Sequence, residues 1–317
     1  MKKIIAVIIS VLTLFCVTAI SSACSKKTTV AVLQFAEHGS LDNCYNGIVE
    51  GLKQEGYSDV DIVLYNAKGV DSDNTTYAKT IINNVPDVAV GIATPSAYAL
   101  ASTAQNAGVP VVFSAVSDPV TSGFKDFENV TGTSDKLPID SQVDLIRKIM
   151  GTQDTIKIGI LYTKTETNSV AHIAEFKKIA ASKNIEIIEA GVDKAEEIPS
   201  AIDSIISKVD CFNNLTDNTV VQNLSILLDK ANAAKKPVFG SEIEQVKKGC
   251  VASCSLDYYK LGIETGKIAA RILKGEKATD IDYFYVNDGY TIDYNSSVMT
   301  ALGLTLPSSV DASDVIA

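Results

Sequence analysis

The stretch VLQFAEHGSLDNC, from Val32 to Cys44, places an acid, an imidazole and a hydroxyl close together: Glu37, His38 and Ser40 follow a hydrophobic run ending at Ala36. These are the types from which a nucleophile and its base are assembled. Their spacing argues against that use, because neighbours in an extended segment point to opposite sides, and Ser40 reads better as the N-cap of a following helix. The chain also has no G-x-S-x-G elbow, G-x-x-x-x-G-K-[ST] loop or G-x-G-x-x-G turn. Holding a ligand, without catalysis, is the expected task.

Similar polar groups recur wherever an apolar run ends. In an open parallel sheet, ligands collect beyond the carboxyl ends of the strands. Those loops carry Thr94, Pro95 and Ser96; Ser114, Ser117 and Asp118; Thr163 to Asn168; Thr216 to Thr219; and Ser241 with Glu242. Ser40 and Thr94 read as N-caps and Pro95 as a first helical residue, which leaves amides and hydroxyls for a carboxylate without any arginine. Glu37, Asp118, Glu166, Asp217 and Glu242 face a single strong base in the same loops, Lys164, which suits a cationic group. Anion donors beside spare carboxylates fit a zwitterion. Phe35, Tyr98, Tyr162, Tyr258 and Tyr259 are placed to wall an apolar or aromatic side chain. The candidate ligand contacts are Phe35, Glu37, Thr94, Ser96, Ser114, Ser117, Asp118, Tyr162, Asn168, Asp217, Asn218, Glu242 and Asp257. Taken singly, each Thr, Ser, Asp or Asn among them has a plainer job as a cap; only the convergence of loops speaks for a site. Asp118 before Pro119 also reads as a turn former, and His172 as a solvated helix residue.

The elements that position these loops alternate strand and helix throughout. Strands are expected at Thr29–Phe35, Asp61–Tyr65, Val88–Ile92, Pro110–Ser114, Ile156–Tyr162, Ile185–Ala190, Asp210–Leu215, Pro237–Gly240 and Cys250–Ser255. Most are unbroken apolar runs, as strands covered on both faces should be. Helical periods lie between them, such as Leu41, Tyr45, Ile48 and Leu52 ending at Gly56. The expected fold class is α/β, with doubly wound parallel sheets. Around VTGTSDKLP (130–138), Gly, Pro and small polar residues mark a linker between two halves. A late helix, Leu256 to Lys274, is followed by a short strand in GEKATDIDYFYV, as if the chain returned to its first half.

Lys2 and Lys3 precede an apolar run from Ile4 to Ile20 and the small residues Ser21, Ser22 and Ala23, the pattern of an export signal. The run is interrupted by Ser10, Thr13 and Thr18 and is short for a membrane span. Cys24 follows, and Ser-Ser-Ala-Cys resembles the lipobox of bacterial lipoproteins, with Ser21 where Leu is usual. Cys24 is therefore the expected lipid anchor, with simple cleavage after Ala23 as the other outcome. Removing residues 1–23 takes away two lysines and no acid, moving the net charge from −10 to −12. No basic face is visible for nucleic acid. Cys250 and Cys254, four residues apart in an extended segment, would be separated by about 13 Å, too far for a disulfide. With Cys44 and Cys211 they read as small buried hydrophobes, though other pairings stay open. With only His38 and His172 as imidazoles, a zinc site is not expected, nor any cofactor.

Several blocks together resemble a known family. VAVLQFAEHGSLDNCYNGIVEGLKQEGY, GIATPSAYALA, PVVFSAVSDPV, NVTGTSDKLPID, IGILYTKTETNS, TDNTV, KPVFGSE and LDYYKLGIETGKIAARILKGE are similar, in order from Val30 to about Gly275, to the substrate-binding lipoproteins of ABC importers, tryptophan-binding branch. The resemblance implies a periplasmic-binding-protein type I fold, two lobes with three crossovers around a ligand cleft. It implies a signal peptide at 1–23, an anchor linker at 24–28, an N-terminal lobe of 29–135 plus 256–278, and a C-terminal lobe of 136–255 plus 279–317. It further implies an extracytoplasmic, membrane-anchored binder that hands an amino acid, aromatic by family assignment, to a permease and its ATPase. By matching position it points to Thr94, Ser96, Ser114 and Ser117 for the ligand carboxylate, and to Asp217, with Asp118 as a second candidate, for the amine. Asn213 and Asn214 stand where the family has apolar residues and Pro, and Cys44 is unusual, which leaves ligand identity open. Three other readings stay open: a sugar or nucleoside receptor, disfavoured by the absence of Trp and of cleft arginines; a secreted hydrolase; and a sensory receptor for a membrane kinase.

Overall fold

The computed structural model describes residues 27–316 of the 317-residue chain, so the expected signal peptide and the expected lipidation site, Cys24, lie outside the described residues. Among the described residues no helix is long and apolar enough to cross a membrane.

Two sheets organise the molecule. The first holds β1 (Thr29–Gln34), β2 (Asp61–Asn66), β3 (Val88–Ile92), β4 (Val111–Ser114), β5 (Val130–Ser134) and the late β11 (Phe284–Tyr285), in the order β11-β5-β4-β3-β1-β2. Every pairing in it is parallel. The apolar run of β3 is buried throughout, because helices cover both faces, whereas β2 at the sheet edge is partly exposed. Those helices are α1 (Gly39–Gln54), α2 (Asp71–Asn83), α3 (Thr94–Ala104) and the returning α10 (Tyr258–Leu273). The second sheet runs β7 (Ile185–Val192), β6 (Ile156–Thr163), β8 (Cys211–Asn213), β9 (Val238–Phe239), again parallel. A bridge from Gly240 to Ser253 joins it to β10 (Ala252–Ser255), which pairs antiparallel with β12 (Thr291–Tyr294), itself beside β13 (Ser313–Asp314). Around it lie α4 (Ile139–Met150), α5 (Thr167–Ala180), α6 (Ile198–Ile205), α7 (Asn218–Gln222), α8 (Leu224–Ala233), α9 (Ile243–Lys248) and α11 (Ser296–Leu302). The result is two α/β lobes joined by three passages of the chain, after β5, β10 and β11.

Two expectations need correction. The expected return to the second lobe at residue 279 falls later, because Phe284 and Tyr285 pair with Thr133 and Ser134 of the first sheet. The segment read as a linker from residue 130 begins with a fully buried strand, β5. Its small hydroxyl residues imitate a loop, but their hydroxyls are satisfied inside: Thr131 Oγ1 donates to the Ile281 carbonyl, Thr133 bonds Thr265 at 2.7 Å, and Ser134 donates to the Ser117 carbonyl. Gly132, at φ 156°, lies so close to Phe113 that a Cβ would strike its backbone.

Helices α1 and α10 meet through glycines spaced four apart on each, Gly47 and Gly51 against Gly262 and Gly266. A Cβ at any of the four would press on a carbonyl oxygen of the facing helix: Tyr259, Ile263, Cys44 and Ile48 respectively. The contact fixes α10 to the first lobe and thereby sets where the passages between lobes begin. Gly51→Ala or Gly262→Ala gains up to about 1 kcal/mol in helix propensity. Backbone overpacking outweighs that gain, for a net loss of about 2 kcal/mol or more. A lowered urea midpoint at unchanged slope is the expected measurement.

Candidate functional site

The loops beyond the carboxyl ends of β1, β3, β4, β5, β6, β8 and β9 converge between the lobes. His38, Thr94, Ser117 and Asp135 from the first lobe meet Asn168, Thr216, Asn218 and Glu242 from the second around a cavity of about 10 Å³, with Leu41, Ala93, Ala115 and Tyr258 completing its wall. Such a volume holds about one water. Thr94 also faces a neighbouring cavity of about 570 Å³ between the lobes, walled by Phe35, Val70, Pro95 and Tyr98 and opposed by Thr163, Glu166 and Thr219. Lys68, Asp193, Lys194 and Glu196 form its charged rim. Tyr98 is 47% exposed there.

Acceptors dominate the inner cavity. Asp135 accepts from Ser117 Oγ at 3.0 Å and from the Tyr258 hydroxyl at 2.9 Å. Burial nevertheless pushes its carboxyl up to about 6, against those two donors. Glu242 accepts from Gln245 Nε2 at 3.1 Å, and burial pushes it up to about 7. Asn168 donates from Nδ2 to the Thr216 carbonyl, so its Oδ1 is the free end; no partner for that atom is found among the described residues. His38 Nδ1 and Thr94 Oγ1 are likewise buried without a partner. Thr94 opens α3, where Pro95 has no N–H and Ala97 N donates to the Ala93 carbonyl, which leaves the amides of Thr94 and Ser96 without an intrahelical acceptor. The preceding Ala93 takes φ 74° and ψ 153°, a positive-φ conformation rare for a residue with a side chain, where the chain passes from β3 into that helix.

Of the ligand contacts expected from sequence, Thr94, Ser117, Asn168, Asn218 and Glu242 surround the inner cavity, and Phe35 the outer one. The others lie elsewhere. Ser96 donates to Asn74 Oδ1 at 2.6 Å, and Ser114 bonds Thr265 at 2.9 Å. Asp118 closes a turn by accepting from the amides of Val120 and Thr121. Glu37 is exposed and pairs with Lys68, and Tyr162 packs at the margin of the second core. Asp257 caps α10 and lines a third cavity, of about 760 Å³, on the hinge side. Asp217, expected at the amine, is consumed by the protein: its oxygens accept from Thr163 N, Thr163 Oγ1, Ser169 Oγ and Val220 N at 2.6–2.9 Å.

Three smaller expectations also change. Ser40 sits inside the first turn of α1, after the cap position at His38, and Thr94 is a first helical residue, not a cap. His172 is buried, bonded to Thr216 Oγ1 at 3.3 Å, and burial lowers its pKa to about 4, so it is not a solvated side chain. Asp135 escaped the sequence reading altogether. It follows β5, and the end-of-strand rule would have found it had that strand been recognised. His38 enters the sequence analysis as a member of a catalytic cluster and as an imidazole for zinc, not among the ligand contacts.

Among the described residues no group of His, Cys, Asp or Glu is placed to hold a metal ion. Cys44, Cys211, Cys250 and Cys254 are free and buried.

Comparison with known proteins gives the family and the fold. The family model described as ABC transporter substrate binding protein matches residues 29–315. A tyrosine-binding protein of Clostridioides difficile is 33% identical over 264 residues, covering 81% of this chain and 75% of the relative. The crystal structure of a Streptococcus pneumoniae ABC domain in complex with L-Trp superposes with a TM-score of 0.86 at 34% identity, covering 91% of this chain and 99% of the other. The ligand-free, open structure of a substrate-binding protein with adhesive properties from Clostridium difficile, with the same coverage and 30% identity, reaches 0.67.

Proposed function

From the premise that the chain belongs to the ABC transporter substrate-binding proteins, whose members bind a solute and do not transform it, we propose an extracytoplasmic, lipid-anchored receptor for a zwitterionic amino acid with an aromatic side chain. It delivers that amino acid to a permease and its ATPase. The observation that carries this reading is the inner cavity, where two buried carboxylates, Asp135 and Glu242, face the open first turn of α3. The ammonium lies against the carboxylates. The ligand carboxylate takes Thr94 Oγ1 and the amides of Thr94 and Ser96, and the ring extends past Thr94 between Phe35, Pro95 and Tyr98.

Because the groups come from both lobes, a ligand touching them all favours the closed arrangement through contacts the open one lacks. The closer fit of this chain to the L-Trp complex than to the open relative supports that motion. Membrane attachment through Cys24, after cleavage at Ala23, accounts for the export pattern of residues 1–23. The lobes that close are residues 29–135 with 256–286, and 136–255 with 287–316, a division that follows the sheet pairings.

Calorimetric titration with the twenty amino acids is the direct test. L-Tyrosine, L-tryptophan and L-phenylalanine are expected to give the strongest heats, and silence from all twenty would end the amino-acid reading.

A further inference from the structure

Resting on the amino-acid reading above, we infer that His38 accepts a hydrogen bond from the ligand's ammonium at Nδ1, in a tautomer that Glu166 imposes from across the cleft through Asn218. Glu166 sits before α5 in the second lobe, and its carboxylate is surrounded by donors. Oε1 accepts from Thr219 N and Oγ1, both at 2.9 Å; Oε2 accepts from Asn218 N at 2.9 Å and from the Asn218 side chain at 2.7 Å. Because that oxygen is the acceptor, the Asn218 atom facing it is the Nδ2 amide. Asn218 Oδ1 therefore points the other way, where it lies 3.4 Å from His38 Nε2 in the first lobe. A carbonyl oxygen only accepts, so the Nε2 position carries the hydrogen. In a neutral ring Nδ1 is then a bare lone pair.

Burial keeps the ring neutral, lowering its pKa to about 4, with Lys248 acting in the same direction and Asn218 and Asp42 opposing. Nδ1 has no partner among the described residues, and the ring borders the same cavity as Asp135 and Glu242. A primary ammonium has three N–H groups. Two carboxylates and one imidazole lone pair provide three acceptors, and the site is thereby specific for a primary amine. An N-methyl group removes one donor and adds bulk to a cavity of about 10 Å³. Protonation of Nδ1 would set a second donor against the ligand, so acid weakens binding. The charged groups facing His38 are Asp42 on α1, Lys248 on α9, and Asp135 and Glu242 across the cavity.

The chain has only two histidines, so 15N spectra of histidine-labelled protein resolve the ring, with His38→Phe identifying its signals. At pH 7 the spectrum is expected to show Nδ1 unprotonated and Nε2 carrying the proton, a preference that Glu166→Gln weakens. In calorimetry, L-tyrosine is expected to bind the parent about tenfold more tightly than N-methyl-L-tyrosine, and His38→Phe to lose about tenfold in L-tyrosine affinity and most of that discrimination. An Nδ1-protonated ring in a protein that binds L-tyrosine, or His38→Phe binding both ligands as the parent does, would overturn this inference and leave the function standing. Failure of every amino acid to bind would remove the function and the ammonium contact together, with the tautomer still readable.

Discussion

Asp135→Asn is expected to weaken binding of the cognate amino acid by about 30-fold or more, with little change in the unfolding midpoint. Removing the charge exchanges a charge-assisted contact to the ammonium for a neutral one, a difference of about 2 kcal/mol. The asparagine retains the shape of the aspartate and an oxygen for Ser117 or Tyr258, which is why folding is spared. Isothermal titration beside thermal melts separates the two effects. An affinity equal to the parent's would place the ammonium elsewhere. Glu242→Gln is expected to act in the same direction, since the two carboxyls border one cavity and the Glu242 charge raises the cost of ionising Asp135.

The same pair gives the binding a pH dependence whose sign can be worked out. In the free protein burial pushes Asp135 up to about 6 and Glu242 to about 7, so both are partly protonated below neutrality. A cationic ligand binds the ionised forms and draws their pKa values down. Affinity therefore rises with pH through that window and levels off above it, and Asp135→Asn makes the rise shallower. Without ligand the signs reverse for these groups. Their ordinary values are 3.8 and 4.5. The stability they contribute as neutral acids is present at low pH and lost as pH rises through the folded values. His38 and His172, lowered from 6.5 to about 4, act oppositely: their contribution is whole above 6.5 and is lost as pH falls toward 4. Ligand-induced stabilisation is thus larger at pH 8 than at pH 5.5.

How much of this was legible in the residues follows from what each residue does. Apolar runs such as Val88–Ile92 announce a covered strand because burial on both faces leaves no place for polar groups. Hence the alternation and the two-lobed class could be read directly. Strand β5 hides because its environment is partly polar: Thr265 on α10, remote in sequence, receives the Thr133 hydroxyl, so VTGTS is buried without being apolar. Missing that strand meant missing Asp135 at its end. Some of the expected ligand contacts lie away from the cavities for a different reason. Thr, Ser, Asp and Asn serve equally as caps and as ligand contacts, and type alone does not separate them. Ser96 and Ser114 turned out to be bonded to Asn74 and Thr265, partners brought in by the fold. His38 was legible as a residue out of place, yet its tautomer depends on Asn218 and Glu166, more than a hundred positions away.

Asp217 is where spacing contained more than was taken from it. In TDNTV the aspartate stands three residues before Val220, the spacing of an N-cap, and in the fold it accepts from the Val220 amide while also reaching the Thr163 amide, which ties α7 to the end of β6. Asp217→Ala is expected to destabilise the protein by about 3–5 kcal/mol, since two buried amides and the hydroxyls of Thr163 and Ser169 lose their acceptor together. For a chain of this size the unfolding midpoint falls by roughly 10 °C. Affinity measured well below that midpoint is expected to change far less than in Asp135→Asn, because Asp217 does not border the inner cavity. Glu166 responds as well: burial, reinforced by the neighbouring Asp217 charge, raises its carboxyl, so removing that charge lowers it and leaves Glu166 a stronger anchor for Asn218. A variant that melts like the parent yet no longer binds amino acid would return Asp217 to the ammonium and move the site away from Asp135 and Glu242.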